Sequence, residues 1–209
     1  MTIITLEQRP KVYACLRYLI YFVLTVGVAQ LIRSLSAIYL DKTFVEFGIV
    51  ENVQIALVLL SALSFGVQVM CSPKDRALLL FFASLCGFAF IRELDHYFEC
   101  LMPCISWKFA VLLPLGAGAY LLYDRKQALK SVMAFIGTPA FSLMTMMMFI
   151  FIAVAQVIGN KQLISNVLVY EQLDVSLARR FIEESVELIA YFVLFLSSIE
   201  FHFSMKRQD

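Results

Sequence analysis

Charge is what this sequence has least of. Asp, Glu, Lys and Arg make up 16% of its 209 residues, against about 25% in a water-soluble domain. So small a charged fraction cannot cover a globule standing in water. With 17 basic and 16 acidic side chains the formal net charge is +1, which excludes the basic excess that follows nucleic-acid phosphates. Glycine and proline are sparse, at 8 and 5 residues, so no flexible linker or low-complexity tail divides the chain. Two histidines and no Gly-x-Ser-x-Gly leave a Ser–His–Asp nucleophile without its usual parts. Cysteine occurs five times, never as the Cys-x-x-Cys of thioredoxin-like redox chemistry.

Apolar side chains take the place of the missing charge. They form 61% of the chain, with 19 phenylalanines, and the mean hydropathy is +0.83. Six runs approach the roughly 20 residues that cross a hydrocarbon core of about 30 Å: 12–33, 48–71, 77–98, 105–123, 132–158 and 180–203. The fourth is the weakest, because Pro114 and Gly116-Ala117-Gly118 lower its helix propensity. The first continues past Arg17 to Ile32 with no small-x-small site behind it, so it is expected to stay in the membrane rather than be cleaved. The expected fold is one all-α domain, a bundle of six transmembrane helices with no internal repeat. The absence of a repeat argues against an inverted-repeat transporter.

Lys and Arg in the short connections set the orientation. Arg9, Lys11, Arg17, Lys74, Arg76, Arg125, Lys126, Lys130, Lys206 and Arg207 fall on one side. The other side has Arg33, Lys42, Arg92, Lys108, Lys161, Arg179 and Arg180, three of them inside helix ends beside acids. Both termini are therefore expected in the cytoplasm, with the chain in a cytoplasmic membrane of the bacterial inner-membrane kind.

Three clusters of ionisable residues then meet at the outer face: Glu51 to Gln54, Arg92 to His96, and Arg179 to Glu187. A charge at bilayer depth costs about 2.5–3.5 kcal/mol even on lenient scales, so three converging clusters point to a site. On the sixth run a 100° step places Arg180, Glu184, Glu187, Tyr191, Ser198 and His202 on one stripe, with Glu183 at its edge. Three carboxylates in five residues cannot all stay ionised at low dielectric without cations or a proton. Arg179 and Arg180 supply part of that charge, and an ion-paired helix end is the structural reading of the same residues. The connections 34–47 and 160–178 are long enough to cover the site as interfacial helices.

Glu93-Leu94-Asp95-His96 holds Glu-x-x-His, which lets one helix give a carboxylate and an imidazole to one metal. With Glu51, Glu184 and Glu187 it makes an oxygen-rich set suited to iron, manganese, magnesium or calcium. In ligand spacing the arrangement resembles the carboxylate-bridged di-metal bundles. The second Glu-x-x-His is here Glu184-x-x-Glu187, a departure that moves the implied chemistry from di-iron redox work towards a hydrolytic or single-metal site. Without a metal, Glu93, His96 and Glu187 suit general acid–base catalysis, and Arg92, Lys108 and Arg180 suit an anionic headgroup or phosphate.

Other features take blander readings. Gln54, Ser61 and Gln68 recur every seventh residue and are expected to hydrogen-bond across helices. Met144 to Met148 is packing, Cys15, Cys71 and Cys86 are buried small hydrophobes, and Cys100 and Cys104 can pair outside. Glu200 and His202 are polar residues at the inner interface beside Lys206 and Arg207.

The expected partners are the bilayer and a lipid-linked or membrane-surface substrate, with the protein as a membrane-embedded enzyme. A cation- or proton-coupled transporter and a non-catalytic complex subunit or assembly factor are the alternatives. The orientation is testable first. Green fluorescent protein fused after Asp209 is expected to fluoresce and alkaline phosphatase there to be inactive; the reverse pattern would invert the topology.

Overall fold

The computed structural model describes residues 9–43, 48–95, 107–155 and 175–205, and their regular structure is entirely helical. Helix α1 is Arg9–Thr43 and α2 is Ile49–Cys71. Ser72 and the 3-10 turn Pro73–Asp75 reverse the chain into α3, Arg76–Glu93. A 3-10 turn, Trp107–Val111, leads into α4, Leu112–Tyr123, followed by α5, Arg125–Ile136. Helix α6, Pro139–Phe149, runs on as a π-helical stretch over Ile150–Ala155, and α7 is Val175–Met205.

Among the described residues three segments are long and apolar enough to cross a membrane: Val12–Ser34, Ile49–Cys71 and Arg179–Ser204. The other runs differ from the expected spans in definite ways. Run 77–98 carries Arg92 and Glu93 at the end of an 18-residue helix, and run 105–123 is a short apolar helix, Lys108–Tyr123. Run 132–158 is broken, with Arg125–Ile136 bent by 85° from Pro139–Ile152, so the pair makes a fourth span only if counted as one. Residues 34–43, expected in a connection, continue α1.

The break has a local cause. Pro139 lacks the amide that would continue a helix and stands at the first position of α6. Thr138 caps that helix: its Oγ1 accepts from the Phe141 amide at 3.4 Å and donates to the Phe135 carbonyl at 2.6 Å. From α7, Ser197 donates to the Ala140 carbonyl at 2.9 Å and holds the corner against the bundle.

Helix α7 is the centre of the bundle and α1 lies at its edge: 56% of the α7 apolar window is buried, against 6% for α1. Helices α2 and α7 run parallel in one register. Gln54 donates to the Glu184 carbonyl and Gln68, fourteen residues on, donates to the Ser198 carbonyl, also fourteen residues on. The seven-residue repeat of Gln54, Ser61 and Gln68 thus faces that of Glu184, Tyr191 and Ser198, the 3.5-residue period of supercoiled helix pairs. Four phenylalanines from four helices fill the core beyond it. Phe82 lies 5.5 Å from Phe65 and 5.0 Å from Phe135, and Phe135 lies 5.4 Å from Phe201.

Two cysteines correct the sequence reading. Cys86 is buried, but Cys15 and Cys71 are exposed, because α1 is peripheral and Cys71 ends α2. Glu200 also departs from expectation. It is 1% exposed and accepts from Arg17 at 2.7 and 3.0 Å and from Tyr21 at 3.1 Å. The Arg17 guanidinium lies 4.8 Å from the Phe203 ring. This bidentate pair fastens α1 to α7, and Ile32 meets Val50 and Leu188 at the far end of α1. Arg17→Ala strands a buried carboxylate, with an expected cost of about 3–5 kcal/mol and a melting temperature lowered by about 6–20 °C. Arg17→Met/Glu200→Gln is expected to melt well above the single variant. A wild-type melting temperature for Arg17→Ala would contradict the buried pair.

Candidate functional site

Helix α7 enters the bundle through its most polar stretch, and the three helix ends expected to meet do so. On α7 itself Arg179 donates to Glu183 at 3.0 and 3.1 Å, one turn apart on the less buried side. Glu184 turns inward. Its Oε2 accepts from Gln54 Nε2 at 3.0 Å, and the same amide nitrogen reaches its backbone carbonyl. Gln54 is fully buried, and its Oε1 has no partner among the described residues. That leaves an acceptor beside the Glu184 carboxyl. Glu184 also feels the charges of Glu93, Arg180 and Glu51, so all three clusters act on one group.

The tightest contact joins α3 to α7. Arg92 Nη2 donates to Glu93 Oε1 at 2.6 Å and to the Tyr191 hydroxyl at 3.0 Å, while Tyr191 donates to the same carboxylate oxygen at 2.6 Å. The three groups close a ring of hydrogen bonds, each with a guanidinium donor or a carboxylate acceptor and so of the stronger, charge-assisted kind. Tyr191 is 3% exposed. The guanidinium also faces the Phe151 ring at 5.5 Å. Hydrogen bonds to described residues engage only Nη2, so Nε and Nη1 keep their donors.

Arg92 and Tyr191 stand at the polar end of a cavity of about 260 Å³ between α3, α6 and α7. The rest of its lining is Phe82, Leu85, Cys86, Phe88, Ala89, Met144, Met147, Met148, Phe151 and Leu194. Three members of the methionine run thus form one wall. Leu85 and Met148 are 39% and 49% exposed, so the cavity opens sideways between α3 and α6, where a bilayer would present acyl chains.

All the expected site residues but His96 have a definite place. Glu93 and Arg92 belong to the ring. Glu187 is one turn from Tyr191 and feels Glu93, Arg92, Glu184 and Glu183, with no hydrogen-bond partner among the described residues. Glu51 and Arg180 act on Glu184. Lys108 is exposed on the turn before α4 and is not among the described residues lining the cavity. His96, Cys100, Cys104 and Gln156 lie outside the described residues.

No group of three or more His, Cys, Asp or Glu side chains is placed to hold a metal ion among the described residues. Glu93 is instead taken up by Arg92 and Tyr191, and Glu184 by Gln54. Sequence reasoning had Tyr191 on the right stripe but not in this role. The signal was there: a tyrosine one turn after Glu187 on a buried face must find a partner for its hydroxyl.

No protein-family model, no curated protein and no solved structure matches the chain. The ring is testable by a double-mutant cycle. Tyr191→Phe and Glu93→Gln are expected to couple by about 1–3 kcal/mol in detergent unfolding. Additive effects would mean the two groups do not share the bond.

Proposed function

We propose that this chain is an integral membrane enzyme acting on a phosphate-bearing lipid or lipid-linked substrate. The apolar tail occupies the cavity between α3, α6 and α7, and the phosphate meets Arg92. The observation that carries this reading is an apolar cavity ending in a guanidinium of which described residues engage only Nη2. An arginine so placed recognises phosphate by paired hydrogen bonds. The volume of about 260 Å³ holds a short length of alkyl or isoprenoid chain, and a flexible thioether wall suits variable tails.

Glu187 is the group we assign to proton transfer on the bound substrate. It sits one turn from the ring and is the α7 carboxylate without a hydrogen-bond partner among the described residues. The charges that act on it are those of Glu93, Arg92, Glu184 and Glu183, so it belongs to the same polar cluster as the ring. Glu93 then positions Arg92, and His96 is kept as a candidate on its sequence spacing alone. The orientation we propose, in a membrane of the bacterial inner kind, has both termini cytoplasmic and the six expected runs as the bundle, the fifth entering the membrane only from Pro139. Its support is the Lys and Arg bias, together with the contact between Arg17, near the start of α1, and Glu200, near the end of α7.

A transporter asks for polar groups continuing from Tyr191 towards Glu200. That space holds Val58, Phe65 and Phe201, and the buried Ser61, Gln68, Ser197 and Ser198 there donate to backbone carbonyls, which supports an enzyme over a conduit. The test uses phosphatidic acid and a polyprenyl phosphate in nonionic micelles. Arg92→Gln is expected to weaken binding about 10- to 100-fold, as for loss of charged hydrogen bonds. Glu187→Gln is expected to bind normally and to lose about 10²–10⁴-fold in turnover. Unchanged binding by Arg92→Gln would remove the reading. Full turnover by Glu187→Gln would remove its catalytic part, and stoichiometric iron, manganese, magnesium or calcium in the purified protein would replace it with a metal mechanism.

A further inference from the structure

At the other end of α3 lies a second cavity, of about 340 Å³, between the Pro73–Asp75 turn, the end of α4 and the start of α5. Its character is opposite to that of the first. Lys74, Arg76, Tyr120, Tyr123 and Gln127 line it, and Asp124, its one acidic lining residue, is already engaged by the Gln127 amide at 3.1 Å. Gln127 and Ser131 hold α5 down by donating to the Lys74 carbonyl at 2.8 and 3.4 Å.

Helix α5 itself has three faces. Ala128, Ser131 and Phe135 are buried against the bundle. Leu129, Met133 and Ile136 form an adjacent stripe, exposed by 64%, 63% and 47%. Arg125, Lys126 and Lys130 are exposed along its polar edges. An apolar stripe bordered by cations, on a helix bent 85° from the next apolar segment, is the pattern of a helix lying in a membrane surface. The exposed rings of Tyr120 and Tyr123 next to the cavity are the side chains that favour headgroup depth.

We infer that α5 lies in the plane of the membrane surface and that the Lys74–Arg76 cavity beside it binds the headgroup phosphate of an anionic phospholipid. The cations of α5 enclose the same headgroup layer, and Leu129, Met133 and Ile136 enter the acyl region below it. The site is separate from the Arg92 cavity, at the opposite end of α3, and shares with the proposed function only the membrane placement of the chain.

The test titrates the purified full-length protein in nonionic micelles with phosphatidylglycerol, phosphatidylcholine or inorganic phosphate, and reads bound lipid by native mass spectrometry. Phosphatidylglycerol is expected to bind at least about fivefold more tightly than phosphatidylcholine, and inorganic phosphate to leave it in place. Lys74→Gln/Arg76→Gln and Lys126→Gln/Lys130→Gln are each expected to weaken it about fivefold per cation removed. The α5 variant alters exposed side chains alone, so it decides the matter if the cavity variant fails to fold. Equal binding of the two lipids, displacement by inorganic phosphate, or wild-type affinity in the α5 variant would each overturn the assignment.

Discussion

Helix α7 brings four carboxylates and two arginines into an apolar bundle, and its polar groups at Glu184, Tyr191, Ser198 and Glu200 are met by side chains of neighbouring helices. Lipid offers no hydrogen bonds, so the neighbours of α7 are chosen by what they can donate. Helix α2 supplies Gln54 to Glu184 and Gln68 to the Ser198 carbonyl. Helix α3 supplies Arg92 to Tyr191, and α1 supplies Arg17 and Tyr21 to Glu200. Three helices are thus registered on the fourth by polar contacts, and the phenylalanine core fills the space those contacts leave.

The same requirement shapes the cavity. Arg92, held by Glu93 and Tyr191, closes one end of the cavity, and the methionines of α6 form one of its walls. The result is an amphipathic slot, polar at one end and open to the side. Shape and chemistry match a lipid that presents its phosphate at the end of its chain. Glu187, one turn from Tyr191 on α7, stands next to this polar end.

Much of this was legible in the sequence, and the reasons are specific. The seven-residue recurrence of Gln54, Ser61 and Gln68 marks a buried seam wherever it occurs, and Gln54 and Gln68 do bond across to α7. The polar stripe through Glu184, Glu187 and Tyr191 follows from helical phase alone. What escaped depends on partners distant in sequence. Glu200 read as an interfacial residue because its neighbours Lys206 and Arg207 are basic; its actual partner is 183 residues away. The hydropathy of 132–158 concealed the corner at Thr138-Pro139, because apolar length says nothing of direction. The Glu-x-x-His spacing likewise could not show that Arg92, on the same helix, bonds to Glu93.

The account turns on what fills the slot beneath Arg92, and a photoreactive side chain at Met147, on the cavity wall, reports it directly. After irradiation of native membranes, mass analysis of the labelled protein is predicted to show a phosphate-bearing lipid adduct that disappears with Arg92→Gln. A neutral lipid adduct, indifferent to that substitution, would contradict it.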